Sequence, residues 1–149
     1  MSSALQGIFE TYRGAVYPWH CDHQGHMNVM WYVGKFDEAT WNLFALLGFG
    51  GSELRAQGSA MVAVEQHLQY KRELFAGDVV RIESRLLDVG AKSIEFLHEM
   101  HHGVTGELCA TSRLVGVHID AQARKARPLP EALAARVRKM LGNPELAVR

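Results

Sequence analysis

The run Asp22-His23-Gln24-Gly25-His26-Met27-Asn28 stands directly before a segment, residues 29–47, whose apolar positions Val29, Tyr32, Val33, Phe36, Leu43, Phe44 and Leu47 recur at helical spacing. Lys35, Asp37, Glu38 and Asn42 fall on its other faces. Asn28 suits the N-cap, because its side chain accepts a backbone N–H that the first turn leaves unpaired, and Gly48 suits the left-handed position past the last turn. One long helix, entered from a polar, histidine-rich turn, is therefore the centre of the fold.

Upstream, residues 11–17 are rich in aromatic and β-branched types and stop at Pro18, as a strand does. Downstream of Gly50-Gly51 and a short polar stretch the period becomes two. Val62, Val64, Leu68 and Tyr70 alternate with Glu65, His67 and Gln69; after the Gly77-Asp78 turn, Val80, Ile82 and Leu86 alternate with Arg81, Glu83 and Arg85. After Gly90, Ile94, Phe96, His98 and Met100 alternate with Glu95, Leu97 and Glu99. Residues 108–119 form a last strand, apolar on both faces as a central strand is. Beyond Pro128 and Pro130, a short amphipathic helix over about 130–141 carries Leu133, Val137, Met140 and Leu141 as its stripe. The order predicts an α+β fold, a single domain over 1–149 with one long helix against an antiparallel sheet of about five strands. Such a half-covered sheet predicts a dimer or larger assembly.

The 149 residues suffice for a core without disulfide or metal staples. Lys plus Arg (16) balance Asp plus Glu (16), which gives no overall basic field to draw nucleic acid or an anionic membrane. Apolar runs are short and interrupted by charge, so none is expected to span a bilayer. Cys21 and Cys109 are too few for a disulfide framework, and no basic leader precedes an apolar run, which places the protein in the cytoplasm by expectation.

Residues 20–28 crowd chemistry into one turn, and four readings compete for it. Asp22 can serve as a catalytic carboxylate next to a helix end whose free N–H groups hold an oxyanion, with Gly25 permitting positive φ and close approach. His20, Cys21, His23 and His26 can be read as metal ligands, but they lack the two separated pairs of common zinc sites, and no metal is expected. Cys21 can pair with a histidine as nucleophile, though nothing selects the base. An ordinary polar turn capping a helix is the fourth reading. Composition alone favours the last.

The same run, followed by Tyr32, Phe36 and Asp37-Glu38-Ala39, resembles the Asp-x-x-Gly-His-x-Asn…Tyr…Phe-Glu-x-Ala signature of hot-dog-fold thioesterases of the 4-hydroxybenzoyl-CoA thioesterase-like family. The likeness extends over about residues 12–119 and implies an acyl-CoA thioesterase. Asp22 would act as nucleophile or general base, the Val29 backbone N–H would polarise the thioester carbonyl, and Gly25, His26 and Asn28 would shape the turn. Coenzyme A enters as part of the substrate, and no separate cofactor is implied. The family's phosphate-binding turn falls on Lys92 and Ser93, while Lys71 and Arg72 form a second basic pair at a strand end. Trp31, Tyr32 and Met61 are expected at the acyl-pocket wall, since such pockets are mostly apolar. Asp37 stands where the family commonly has Glu or a neutral residue, which leaves Glu38 as a reserve carboxylate. Glu65 and His67 share a strand face that borders either a site between protomers or solvent. The resemblance implies a homodimer or homotetramer, with coenzyme A crossing between protomers. The rival readings are a non-catalytic acyl-thioester binding protein, a thioesterase for acyl carrier protein, and a dehydratase, whose usual histidine setting is missing.

Overall fold

Strand β1 (Ile8–Ala15) gives way to a single 3-10 turn, Pro18–His20, which carries the chain to the Asp22 turn. Then follow α1 (Val29–Leu46), α2 (Gly51–Ala56), β2 (Ser59–Tyr70), β3 (Val79–Val89), β4 (Ser93–His102), β5 (Leu108–Asp120) and α3 (Glu131–Leu141). The computed structural model describes residues 7–141; residues 1–6 and 142–149 of the expected domain lie outside them. The strands form one antiparallel sheet in the order β1-β3-β4-β5-β2. Tyr32, Phe36, Ala39, Leu43 and Phe44 of α1 are buried against it, the arrangement of the hot-dog fold. Asn28 caps α1 by accepting the Met30 N–H at 2.9 Å, and Gly48 takes φ +79° after the last turn, both as the sequence predicts.

Three boundaries differ from expectation. The first strand lies earlier than 11–17, because Val16 hydrogen-bonds with the Gly77-Asp78 turn and Pro18 then fixes the next turn. The polar stretch after Gly50 contains α2, six residues long and too short to show a period. In β2 a register shift against β5 between Ala63 and Glu65 changes which side chains face the core. Ser59 and Met61 are buried, whereas Val64 is 61% exposed. β5 is an inner strand, and the middle place belongs to β4.

The core falls into two apolar clusters. One, around Leu43, Phe44, Met61 and Phe96, packs toward α3; the other, around Met27, Tyr32, Phe36, Leu74 and Met100, supports the Asp22 turn. A buried polar chain crosses the sheet at residues lying between them in sequence on β3 and β4. Thr11 Oγ1 meets Ser84 Oγ at 2.7 Å, Ser84 meets His98 Nδ1 at 2.5 Å, and His98 Nε2 meets Thr40 Oγ1 at 2.8 Å. Burial drives the His98 pKa down to about 3, so the ring is neutral.

Candidate active site

The turn between β1 and α1 is held at both ends by backbone bonds. Asn28 N–H donates to His20 O at 2.8 Å and Met27 N–H to Leu74 O at 2.7 Å. Within it Asp22 Oδ1 accepts the Gln24 N–H at 2.8 Å, and Oδ2 accepts Asn28 Nδ2 at 2.8 Å. Gly25 closes the turn at φ +88° with open space where a Cβ would stand, so its conformation and not crowding selects glycine. The Asn28 amide beside Asp22, then the Gln24 N–H, then the nearby His26 and His23 hold its carboxyl below the usual range. Asp22 is therefore an anion at neutral pH.

The Val29 N–H, first of α1, makes no hydrogen bond among the described residues, and Val29 is 55% exposed. Asp22 and this donor flank Asn28, which binds the carboxylate with one end of its amide and caps the helix with the other. A carboxylate next to a helix N-terminus with a free N–H can attack, or activate water toward, a carbonyl whose developing oxyanion the N–H and the helix dipole stabilise.

A depression of about 340 Å³ beside this end gathers His26, Val29, Tyr32, Lys71 and Arg72 with Tyr70 and Glu73. His26 is half-buried, its Nε2 3.7 Å from Glu73. Tyr32 is buried; its hydroxyl donates to Arg72 O at 2.9 Å, and burial pushes its pKa up to about 12. Arg72 is paired with Glu107 at 2.9 Å, which leaves Lys71 as the cation of the pair without an ion-pair partner among the described residues. Lys92 and Ser93 lie at the other end of the sheet, in the β3–β4 turn, where Gly90 N–H donates to Ser93 O. The length of β4, roughly 30 Å, separates them from the Asp22 end of the same chain.

The three residues expected at the acyl wall line three different hollows. Tyr32 borders the depression at Val29, Trp31 a groove of about 650 Å³ on the β1 side of α1, and Met61 a cavity of about 60 Å³ on the β2 side. Glu38 is exposed in the β1-side groove, with Lys35 and His20, and Glu65 and His67 are exposed on β2. Of the residues of the zinc alternative, His20 Nδ1 accepts the Tyr17 N–H at 2.9 Å, Cys21 Sγ points its weak donor at Tyr17 O, and His26 Nε2 faces Glu73. No cluster among the described residues is arranged to hold a metal. The sequence reading did not single out Glu73 or Trp41. It placed Lys35 off the apolar face of α1, whereas Lys35 is buried there, its ammonium donating to Tyr12 Oη at 2.8 Å and to Ala15 O at 3.3 Å.

Fold and site together define a hot-dog thioesterase. The thioesterase-like superfamily model matches residues 16–137, and the chain belongs to that family as a thioester hydrolase. It is 26% identical over 133 residues to the betainyl-CoA thioesterase of Pseudomonas aeruginosa, covering 89% of this chain and 84% of that protein. It is 30% identical over 115 residues to an L-carnitine dehydrogenase/betainyl-CoA thioesterase of Agrobacterium fabrum, covering 75% of this chain but only 23% of that longer protein. A Staphylococcus aureus protein solved in complex with CoA superposes with a TM-score of 0.82 at 20% identity, over 93% of this chain and 90% of that one.

Proposed function

We propose that the chain hydrolyses an acyl-CoA thioester to the free acid and coenzyme A, with Asp22 as its catalytic carboxylate and the Val29 N–H as oxyanion donor. The observation that carries this reading is the ionised Asp22, fixed by Asn28 and Gln24 beside an unpartnered helix-end N–H. In one route a carboxylate oxygen attacks the thioester carbon, the thiolate leaves, and water cleaves the mixed anhydride. In the other Asp22 takes a proton from the attacking water. Its lowered pKa keeps it ionised, the form that either route requires. His26 and Gly25 shape the turn, and Lys71 supplies a cation for the phosphates of coenzyme A. Lys92 and Ser93 reach those phosphates only from a second copy.

The acyl group proposed is betainyl, on the strength of the relative that matches most of both chains. A dimer, or a tetramer built from two, forms through the β2 edge. The β1 edge is covered: Asn42 Nδ2 donates to Thr11 O at 2.6 Å and Lys35 Nζ to Ala15 O at 3.3 Å, whereas β2 carries exposed Val64 and Tyr70. Two free cysteines suit a reducing compartment, and the cytoplasm is the setting proposed. No described helix is long and apolar enough to cross a membrane. Free-thiol release from a panel of acyl-CoA and acyl carrier protein esters tests the reading. Turnover of betainyl-CoA with kcat/KM of about 10⁴ M⁻¹s⁻¹ or more is expected. Binding without turnover of any ester would instead support a non-catalytic acyl-thioester binder.

A further inference from the structure

Asp37 and Trp41 stand one turn apart on the side of α1 that faces β2. Both are exposed, Trp41 by 41%, and its indole is braced edge-on against Phe44 with centroids 5.8 Å apart. Asp37 has no ion-pair partner among the described residues. An unpaired carboxylate beside a braced indole is a receptor for an organic cation that has no N–H to donate, held by charge and by the ring face.

The β1-side groove has more aromatic rings, but the Lys35 ammonium already lies 5.1 Å from the Tyr12 ring centroid and is only 3% exposed. A cationic ligand there would meet this buried like charge, which makes no ion pair among the described residues, and the Glu38 carboxylate of the same groove would have both cations to balance. The β2-side pair has no such opponent.

Reach then decides whose acyl group the pair holds. A betainyl ammonium lies two bonds from its thioester carbon, about 2.5 Å. Asp37 follows Val29 by eight residues, about 12 Å along the helix. One chain cannot grip both ends of so short a group. A two-fold axis near Met30, Val33 and Asp37, of which Met30 and Asp37 are exposed and Val33 is half-buried, would run α1 antiparallel to its copy and bring Asp37 and Trp41 of one chain toward the Val29 end of the other.

We propose that Asp37 and Trp41 form the specificity site for a quaternary ammonium acyl group, each chain completing the pocket of its dimer partner. This rests on the acyl-CoA thioesterase reading above. The test compares betainyl-CoA with its uncharged carbon isostere, 3,3-dimethylbutanoyl-CoA, on wild type, Asp37→Asn and Trp41→Leu. Wild type prefers the betainyl ester by about tenfold or more in kcat/KM, and each variant brings the ratio within about threefold. Co-expressed mixed dimers of Asp22→Asn with Asp37→Asn chains regain the preference, because one of their two sites has both carboxylates. A preference kept by Asp37→Asn, or not regained in mixed dimers, overturns the proposal. Equal turnover of both esters by wild type overturns it and leaves the thioesterase reading intact. If neither ester nor any other acyl-CoA is turned over, the underlying reading falls and this one with it.

Discussion

Asn28 connects the stability of α1 to the charge state of Asp22 through one side-chain amide, its oxygen on the Met30 N–H and its nitrogen on the carboxylate. Replacing it by alanine removes both bonds. Asn28→Ala should lose about 1 kcal/mol in urea unfolding from the missing cap. It should also raise the Asp22 pKa, since the largest contribution holding it down is that amide. Activity that depends on the Asp22 anion is complete above this pKa and is lost as pH falls through it. The acid limb of kcat/KM should therefore move to higher pH in the variant, and an unmoved limb would detach Asn28 from the chemistry. The cap was legible in the sequence because it is a local rule. The bond to Asp22 was not, because it needs the turn closed by His20 O and Leu74 O, and Leu74 is far along the chain.

Four elements meet in the buried chain Thr11, Ser84, His98 and Thr40, contributed by β1, β3, β4 and α1. His98 lies between the stacked Phe36 at 5.8 Å and Phe96 at 5.2 Å, so it stays neutral in the fold. Its folded pKa is about 3, while an unfolded histidine titrates at about 6.5. The stability it contributes is present above the unfolded value and is lost progressively as pH falls from there toward the folded one. Unfolding free energies measured from pH 7 to 4 should fall in the wild type, and His98→Gln, though less stable at pH 7, should show a shallower decline. Equal slopes would mean that His98 is not the group concerned. The alternation of β3 and β4 was readable, since a period of two survives without irregularity over their buried positions. That of β2 was misread, because one extra residue near Val64 exchanges the faces and leaves no mark in composition. α2 was missed for want of length.

At the scale of the molecule, one sheet edge is closed and the other open. The β1 carbonyls are met by Asn42 and Lys35, whereas Val64 and Tyr70 on β2, with Val29, Met30 and Trp41 on α1, are exposed. Val64→Lys should convert a dimer to monomers in sedimentation velocity and remove most activity with it. A monomer of full activity would refute the shared pocket. The fold class was legible because one long amphipathic helix followed by short alternating segments admits few packings. The complete site was not, since Trp31, Tyr32 and Met61 line separate hollows and Lys92 lies a strand's length from Asp22. Sequence names residues of one chain, while the proposed pocket draws on two.

The central claim is that the Asp22 carboxylate performs the hydrolysis. Initial rates of thiol release from betainyl-CoA by wild type and Asp22→Asn, with matched thermal melts to show that both are folded, test it most directly. The account predicts a loss of kcat of at least about 100-fold, with substrate binding largely kept. Equal turnover by the two folded proteins would contradict it.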